Sequence, residues 1–132
     1  MLSKAKILLI YTGGTIGMMK DFETGALKTF NFSKLLQKIP ELKQLDCDIE
    51  TVSFKKPIDS STINPEKWAE IATIIEDNYD DFDGFVVLHG SDTMSYSASA
   101  LSFLCTSVGI LWFYAKYRRQ YNWLAKVYNC PI

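Results

Sequence analysis

The sequence predicts an α/β fold, a Rossmann-like parallel sheet with flanking helices in a three-layer, doubly wound domain. Three observations carry this. Lys6-Ile-Leu-Leu-Ile-Tyr11 holds an unbroken aliphatic run too short for a helix, and Gly84-Phe-Val-Val-Leu88 is a second such run. Runs of this kind mark strands covered on both faces, the condition of a parallel sheet between helical layers. The segments that separate and follow them have helical spacing, which gives the order β-α-β-α-β-α with right-handed crossovers.

Each element has a local cause. The first strand ends at Tyr11, and the loop after it carries Thr12, Gly13, Gly14 and Thr15, where glycines let backbone approach a ligand that a Cβ would hit. Met18 to Phe32 is polar, contains Gly25, and reads as a long, mobile functional loop. Ser33 can cap a short helix through Ile39 that stops at Pro40. Asp48-Ile-Glu-Thr-Val-Ser-Phe54 alternates polar with apolar, so it reads as a strand nearer an edge. Asn64-Pro65 is a capping residue followed by proline at the first helical position. From there Trp68, Ile71, Ala72 and Ile75 recur at helical spacing, which predicts an amphipathic helix to about Asn78. Tyr79 to Gly84 is turn-like, Gly84 to Leu88 is the third strand, and Thr93 to Leu104 reads as a helix with small residues along one side.

Composition narrows the function classes. A chain of 132 residues forms one domain with a real core. A net charge of −1 gives no electrostatic case for nucleic acid or a membrane surface. Cys47, Cys105 and Cys130 are odd in number and lack metal-ligand spacing, which argues against a disulfide framework and fits a reducing cytosol. The apolar run after Lys4 and Lys6 is too short for a signal peptide, and Val108 to Ala115 is too short to cross a bilayer as a helix. A cytoplasmic protein is the expectation, with no metal and no cofactor.

Chemistry concentrates at two strand ends: Tyr11-Thr-Gly-Gly-Thr-Ile-Gly17 and His89-Gly-Ser-Asp-Thr-Met94. The carboxyl ends of strands are where open α/β sheets bind ligands. Each piece has a plainer reading. Thr-Gly-Gly-Thr alone is also a tight turn, Asp59-Ser60-Ser61 a turn before a helix, and Ser91-Asp92 a cap for the helix at Thr93. His89, the one histidine, reads as a packed structural residue.

Taken together, the two strand-end motifs resemble the signature motifs of the bacterial L-asparaginase and glutaminase family, with Asp59-Ser60-Ser61 as a third matching point. The resemblance runs from Lys6 to Phe103 and is closest to the cytoplasmic, type I branch. It implies hydrolysis of L-asparagine, or of L-glutamine, to the free acid and ammonia without cofactor or metal. Thr15 matches the family's nucleophile, which forms a covalent acyl intermediate. Ser91 and Asp92 match a hydroxyl and a carboxylate that bind substrate and join a lysine-assisted relay, with serine here where relatives usually have threonine. Gly14 and Gly90 supply backbone contacts, Asp92 matches the partner of the substrate α-amino group, and Asp59, Ser60 and Ser61 match the loop that grips its α-carboxylate. Relatives have a mobile-loop tyrosine; the comparable stretch here, Glu23 to Lys28, has none. An alternative within the family is a glutaminase or the amidase subunit of a glutamyl-tRNA amidotransferase. From another class, the alternative is a non-catalytic fragment that binds an amino acid or a partner chain.

The resemblance stops near Leu104, so we divide the chain into an incomplete asparaginase-like domain, 1–104, and a divergent tail, 105–132. No acidic residue follows Asp92, while Lys116, Arg118, Arg119 and Lys126 stand among aromatics. The abrupt change in composition fits a shifted reading frame. A diverged helix docking on a partner and a nucleic-acid contact are the other readings, the last supported only by four cations. Neither the family's lysine nor its second domain, which completes a neighbouring subunit's site, has a match here. The expectation is therefore an asparaginase by ancestry, impaired or inactive as this chain, with the family's homo-oligomer in question.

Overall fold

The computed structural model describes residues 4–14, 18–20, 23–24, 27–29, 40–105, 110–116 and 122–128. Inside the five-stranded sheet, next to its edge strand, lies β1 (Ala5–Tyr11), the first aliphatic run. It pairs in parallel with β4 (Cys47–Ser53), from Ala5 opposite Cys47 to Tyr11 opposite Ser53. On its other side it pairs in parallel with β5 (Gly84–Leu88), from Ile7 opposite Gly84 to Tyr11 opposite Leu88. The predicted parallel α/β sheet is present. The alternating strand forms the sheet edge, with Asp48 and Glu50 exposed along it.

Two helices follow their sequence signals closely. In α1 (Pro65–Asp77), the Asn64 side chain accepts a hydrogen bond from the Lys67 amide at 3.0 Å, and proline opens the first turn. That satisfies one of the amides that no helix can pair internally. The second helix, α2 (Met94–Leu104), runs back from the end of β5.

Both helices lie on the same face of the sheet. Ile71, Ile75 and Leu101 form one buried cluster with Leu8, Ile10, Phe85 and Val87, which share a face through the two-residue period of β1 and β5. The opposite face, lined by Ile7, Leu9 and Val86, is only half-buried. The strand order explains this. The chain steps from β1 outward to β4, then crosses back over β1 to reach β5. Steps in opposite directions, each right-handed, put their crossovers on opposite faces. The crossover from β1 to β4 is the one that would cover Ile7 and Leu9. The helix expected there, Ser33 to Ile39, lies outside the described residues; a 3₁₀ turn at Pro40–Gln44 follows it.

Two expectations change. The stretch from Met18 to Phe32, expected as one long, mobile loop, contains an antiparallel pair: β2 (Met18–Lys20) and β3 (Leu27–Thr29), with Met18 opposite Thr29. The polar composition hid two strands of three residues each, too short for a periodicity to register. The tail, read as the product of a shifted frame with a docking helix as one alternative, contributes β6 (Ile110–Lys116) and β7 (Asn122–Tyr128). β6 continues the sheet parallel to β5, and β7 closes back antiparallel to β6. Ile-Leu-Trp-Phe-Tyr is a β-branched and aromatic run, and such residues favour strand over helix.

Candidate functional site

At the carboxyl ends of β1, β4 and β5 three loops converge, each fixed by backbone and not by chance proximity. Thr12, buried, binds the Leu88 carbonyl twice: its amide donates at 3.1 Å and its hydroxyl at 2.8 Å. Its own carbonyl accepts from the Ile58 amide at 2.8 Å. The first loop is thereby tied to both neighbours at its first residue.

The two glycines that follow are there for different reasons. Gly13 has φ +153°, and a Cβ on it would overlap the Ile58 carbonyl oxygen and sit 2.7 Å from the Ile58 nitrogen. Gly14 has φ +91°, a region L side chains rarely enter, but its missing Cβ would sit 3.5 Å from Gly90, an ordinary contact. The Tyr11 hydroxyl donates to the Gly14 carbonyl at 2.9 Å and holds the turn. Gly90 in its turn has no room for a Cβ, which would overlap the Ser60 hydroxyl. The Thr93 hydroxyl then donates to the Ser60 carbonyl at 2.7 Å. The glycine loop, the Asp59–Ser61 turn and the Gly90–Asp92 loop thus meet around Gly90.

The sequence-predicted residues are distributed as follows. Gly14 and Gly90 face each other, both half-buried. Ser60 is buried beside Gly90, while Asp59 and Ser61 are exposed. Asp59 Oδ1 accepts from the Ser61 amide at 3.0 Å and from its hydroxyl at 2.8 Å. Those bonds hold the Asp59 carboxyl below its ordinary pKa. Ser91 is half-buried in the turn before α2, its carbonyl accepting from the Met94 amide at 3.5 Å, and Asp92 is exposed beside it. Thr15 lies outside the described residues. Among the described residues no group of three histidine, cysteine or acidic side chains could hold a metal ion.

His89 leads into this loop and is itself buried. Its Nδ1 lies 2.6 Å from the Gly90 carbonyl, so that nitrogen carries the proton. Its Nε2 then accepts from the Ser97 hydroxyl at 2.8 Å, and the Ser97 oxygen accepts from Trp68 Nε1 at 2.9 Å. The chain Trp68–Ser97–His89–Gly90 ties α1 and α2 to the start of the loop. Burial pushes the imidazole pKa down, with the Gly90 contact opposing it. A histidine so enclosed orients the backbone at the start of the loop.

The pH consequence has a definite sign. The unfolded chain binds a proton at His89 near pH 6.5, the folded chain only below that. This contribution to stability is complete above about pH 6.5 and is lost as pH falls toward the lower folded value. Urea unfolding between pH 7.5 and 5 is expected to show a falling midpoint, and His89→Asn is expected to flatten that slope.

Thr12, Thr93 and the Trp68–Ser97 pair were not singled out from sequence as site residues. The last two are separated by 29 positions, and no local pattern joins them. Thr12 and Thr93 lie inside the motifs, but nothing in one sequence separates an inward hydroxyl from one offered to a ligand.

Comparison with known proteins shows the family to which the chain belongs. The family model for the N-terminal domain of asparaginase matches residues 6–110. L-asparaginase 1 of Escherichia coli (strain K12) is 41% identical over 109 residues, which cover 82% of this chain and 32% of that protein. The solved structure of L-asparaginase I from Vibrio cholerae superposes with a TM-score of 0.67 at 42% identity, covering 76% of this chain and 30% of that one. The thermostable L-asparaginase from Thermococcus kodakarensis superposes with a TM-score of 0.65 at 37% identity, over 74% and 29% of the two chains. A glutamyl-tRNA(Gln) amidotransferase subunit of Methanosarcina mazei is 39% identical over 101 residues, 75% of this chain and 23% of that protein. The chain belongs to the asparaginase family, matching it through the N-terminal domain. It spans about a third of the length of the first curated relative.

Proposed function

We propose that this chain carries the nucleophile and substrate loops of an L-asparagine amidohydrolase. The observation that supports this best is the meeting of three strand-end loops on Gly90, in a chain that the asparaginase N-terminal family model matches across that whole region. In this reading the Thr15 hydroxyl adds to the side-chain amide carbonyl of L-asparagine. The C–N bond breaks, ammonia leaves with a proton, and water then hydrolyses the threonine ester to L-aspartate. Backbone amides of the Gly13-Gly14 and Gly90 loops are the donors for the developing oxyanion and the substrate.

The α-groups of the substrate divide between the other two loops. The exposed Asp92 carboxylate pairs with the α-ammonium, and the Ser60 and Ser61 region receives the α-carboxylate. Asp59 is already anionic, so it does not touch that carboxylate itself; its bonds to Ser61 shape the turn that does. Ser91 supplies the hydroxyl of the proton relay. Hydroxyl, carboxylate and amide groups suffice for this chemistry, with no cofactor or metal. A cytoplasmic setting is proposed from the likeness to a probable cytoplasmic L-asparaginase of Campylobacter jejuni, 30% identical with a TM-score of 0.59. Among the described residues no helix is long and apolar enough to cross a membrane.

The second reading, an amidase subunit of a glutamyl-tRNA amidotransferase, rests on the resemblance to the Methanosarcina protein. Ammonia release from L-asparagine and L-glutamine separates the two. We expect faster release from asparagine; a preference for glutamine would favour the second reading.

A further inference from the structure

We propose that Thr93 is a positioning residue whose hydroxyl sets the width of the cleft between the Asp59–Ser61 turn and the Gly90–Asp92 loop; as a statement about ligand affinity, this rests on the function proposed above. Thr93 stands at the N-cap position of α2, where a threonine hydroxyl ordinarily accepts from an amide of its own helix. It makes no such bond. Its hydroxyl donates instead to the Ser60 carbonyl at 2.7 Å, across 33 residues of sequence.

That carbonyl is a pivot. It also accepts from the Ile63 amide at 3.3 Å, which closes the 3₁₀ turn at Ser60–Thr62. The Ser60 side chain is pressed against Gly90, where a Cβ would overlap its hydroxyl. The turn therefore has two points of attachment to the neighbouring loop: a steric stop at Gly90 and a hydrogen bond at Thr93. The stop limits how close the loops come, and the bond limits how far they part. The two loops are the ones assigned to the α-carboxylate and α-ammonium of one amino acid, whose separation is fixed by covalent geometry. A cleft held to that width binds without first ordering its walls.

Thr93→Val keeps the shape and removes the hydroxyl; Thr93→Ser keeps the hydroxyl. Two readouts on the 132-residue chain decide the matter: amide exchange at Thr62 and Ile63, and the dissociation constant for L-aspartate. We expect Thr93→Val to speed exchange at both amides and weaken aspartate about tenfold, the size of one net hydrogen bond. Thr93→Ser should restore both. Thr93→Ala serves the same purpose should valine prevent folding. Should wild type fail to bind aspartate while Thr93→Val still speeds exchange, the cleft strut stands and the proposed substrate falls. Exchange unchanged in Thr93→Val, or aspartate affinity unchanged when wild type binds, overturns the proposal.

Discussion

Gly13→Ala is expected to destabilise the chain by about 3–5 kcal/mol, or to prevent folding. Two costs add at this position. The backbone angle, φ +153°, is strained for any L side chain. The new methyl would also overlap the Ile58 carbonyl oxygen and come within 2.7 Å of the Ile58 nitrogen and 3.0 Å of its carbonyl carbon. Those are backbone atoms, and the Ile58 amide is itself bound to the Thr12 carbonyl at 2.8 Å, so nothing flexible can swing aside. Gly14→Ala is the control. It meets only ordinary contacts at 3.5 Å and bears the φ strain alone, about 1–2 kcal/mol. Because a domain of this size is stable by roughly 5–15 kcal/mol, the first substitution is near the limit and the second is not. Urea titration of both variants checks the ordering. Equal losses would mean that the Ile58 contact is not what requires glycine at residue 13.

Much of this fold was legible because its signals are local. The aliphatic run before Tyr11 and the Gly84–Leu88 run became adjacent parallel strands. Asn64-Pro65 marked the start of α1, and the bond from the Lys67 amide to the Asn64 side chain is the reason. Asp48 to Phe54 alternated because successive side chains of a strand point to opposite faces, and in this strand Asp48 and Glu50 are the exposed set. What could not be read involves distance or scale. The β2–β3 pair is too short to show a period, while the apolar and aromatic run of β6 carried a strand signal that the change in composition around it obscured. That both α1 and α2 cover one face follows from strand order, which only pairing reveals.

The site divides the same way. Two motifs and the Asp59–Ser61 turn were visible as residue types, and the packed reading of His89 matches its burial and its bonds to Gly90 and Ser97. The hydroxyls of Thr12 and Thr93 were visible as letters but not as tethers, because their partners, Leu88 and Ser60, lie 76 and 33 residues away. A single sequence marks which residues can do chemistry. Contacts between distant loops decide which of them hold the others in place.

The second large effect concerns the nucleophile, and it bears on the proposed chemistry more directly than any other substitution. Thr15→Ala removes the proposed attacking hydroxyl while leaving the residues of the Gly90–Asp92 loop and the Asp59–Ser61 turn, so binding and turnover should separate. Calorimetric titration with L-aspartate, beside ammonia release from L-asparagine, reads both in wild type and variant. We predict saturable aspartate binding in both chains, with ammonia release weak in wild type, as expected for a chain without the family's lysine and second domain, and at background in Thr15→Ala. Turnover that survives Thr15→Ala, or a wild-type chain that neither binds aspartate nor releases ammonia, would be incompatible with the proposed function.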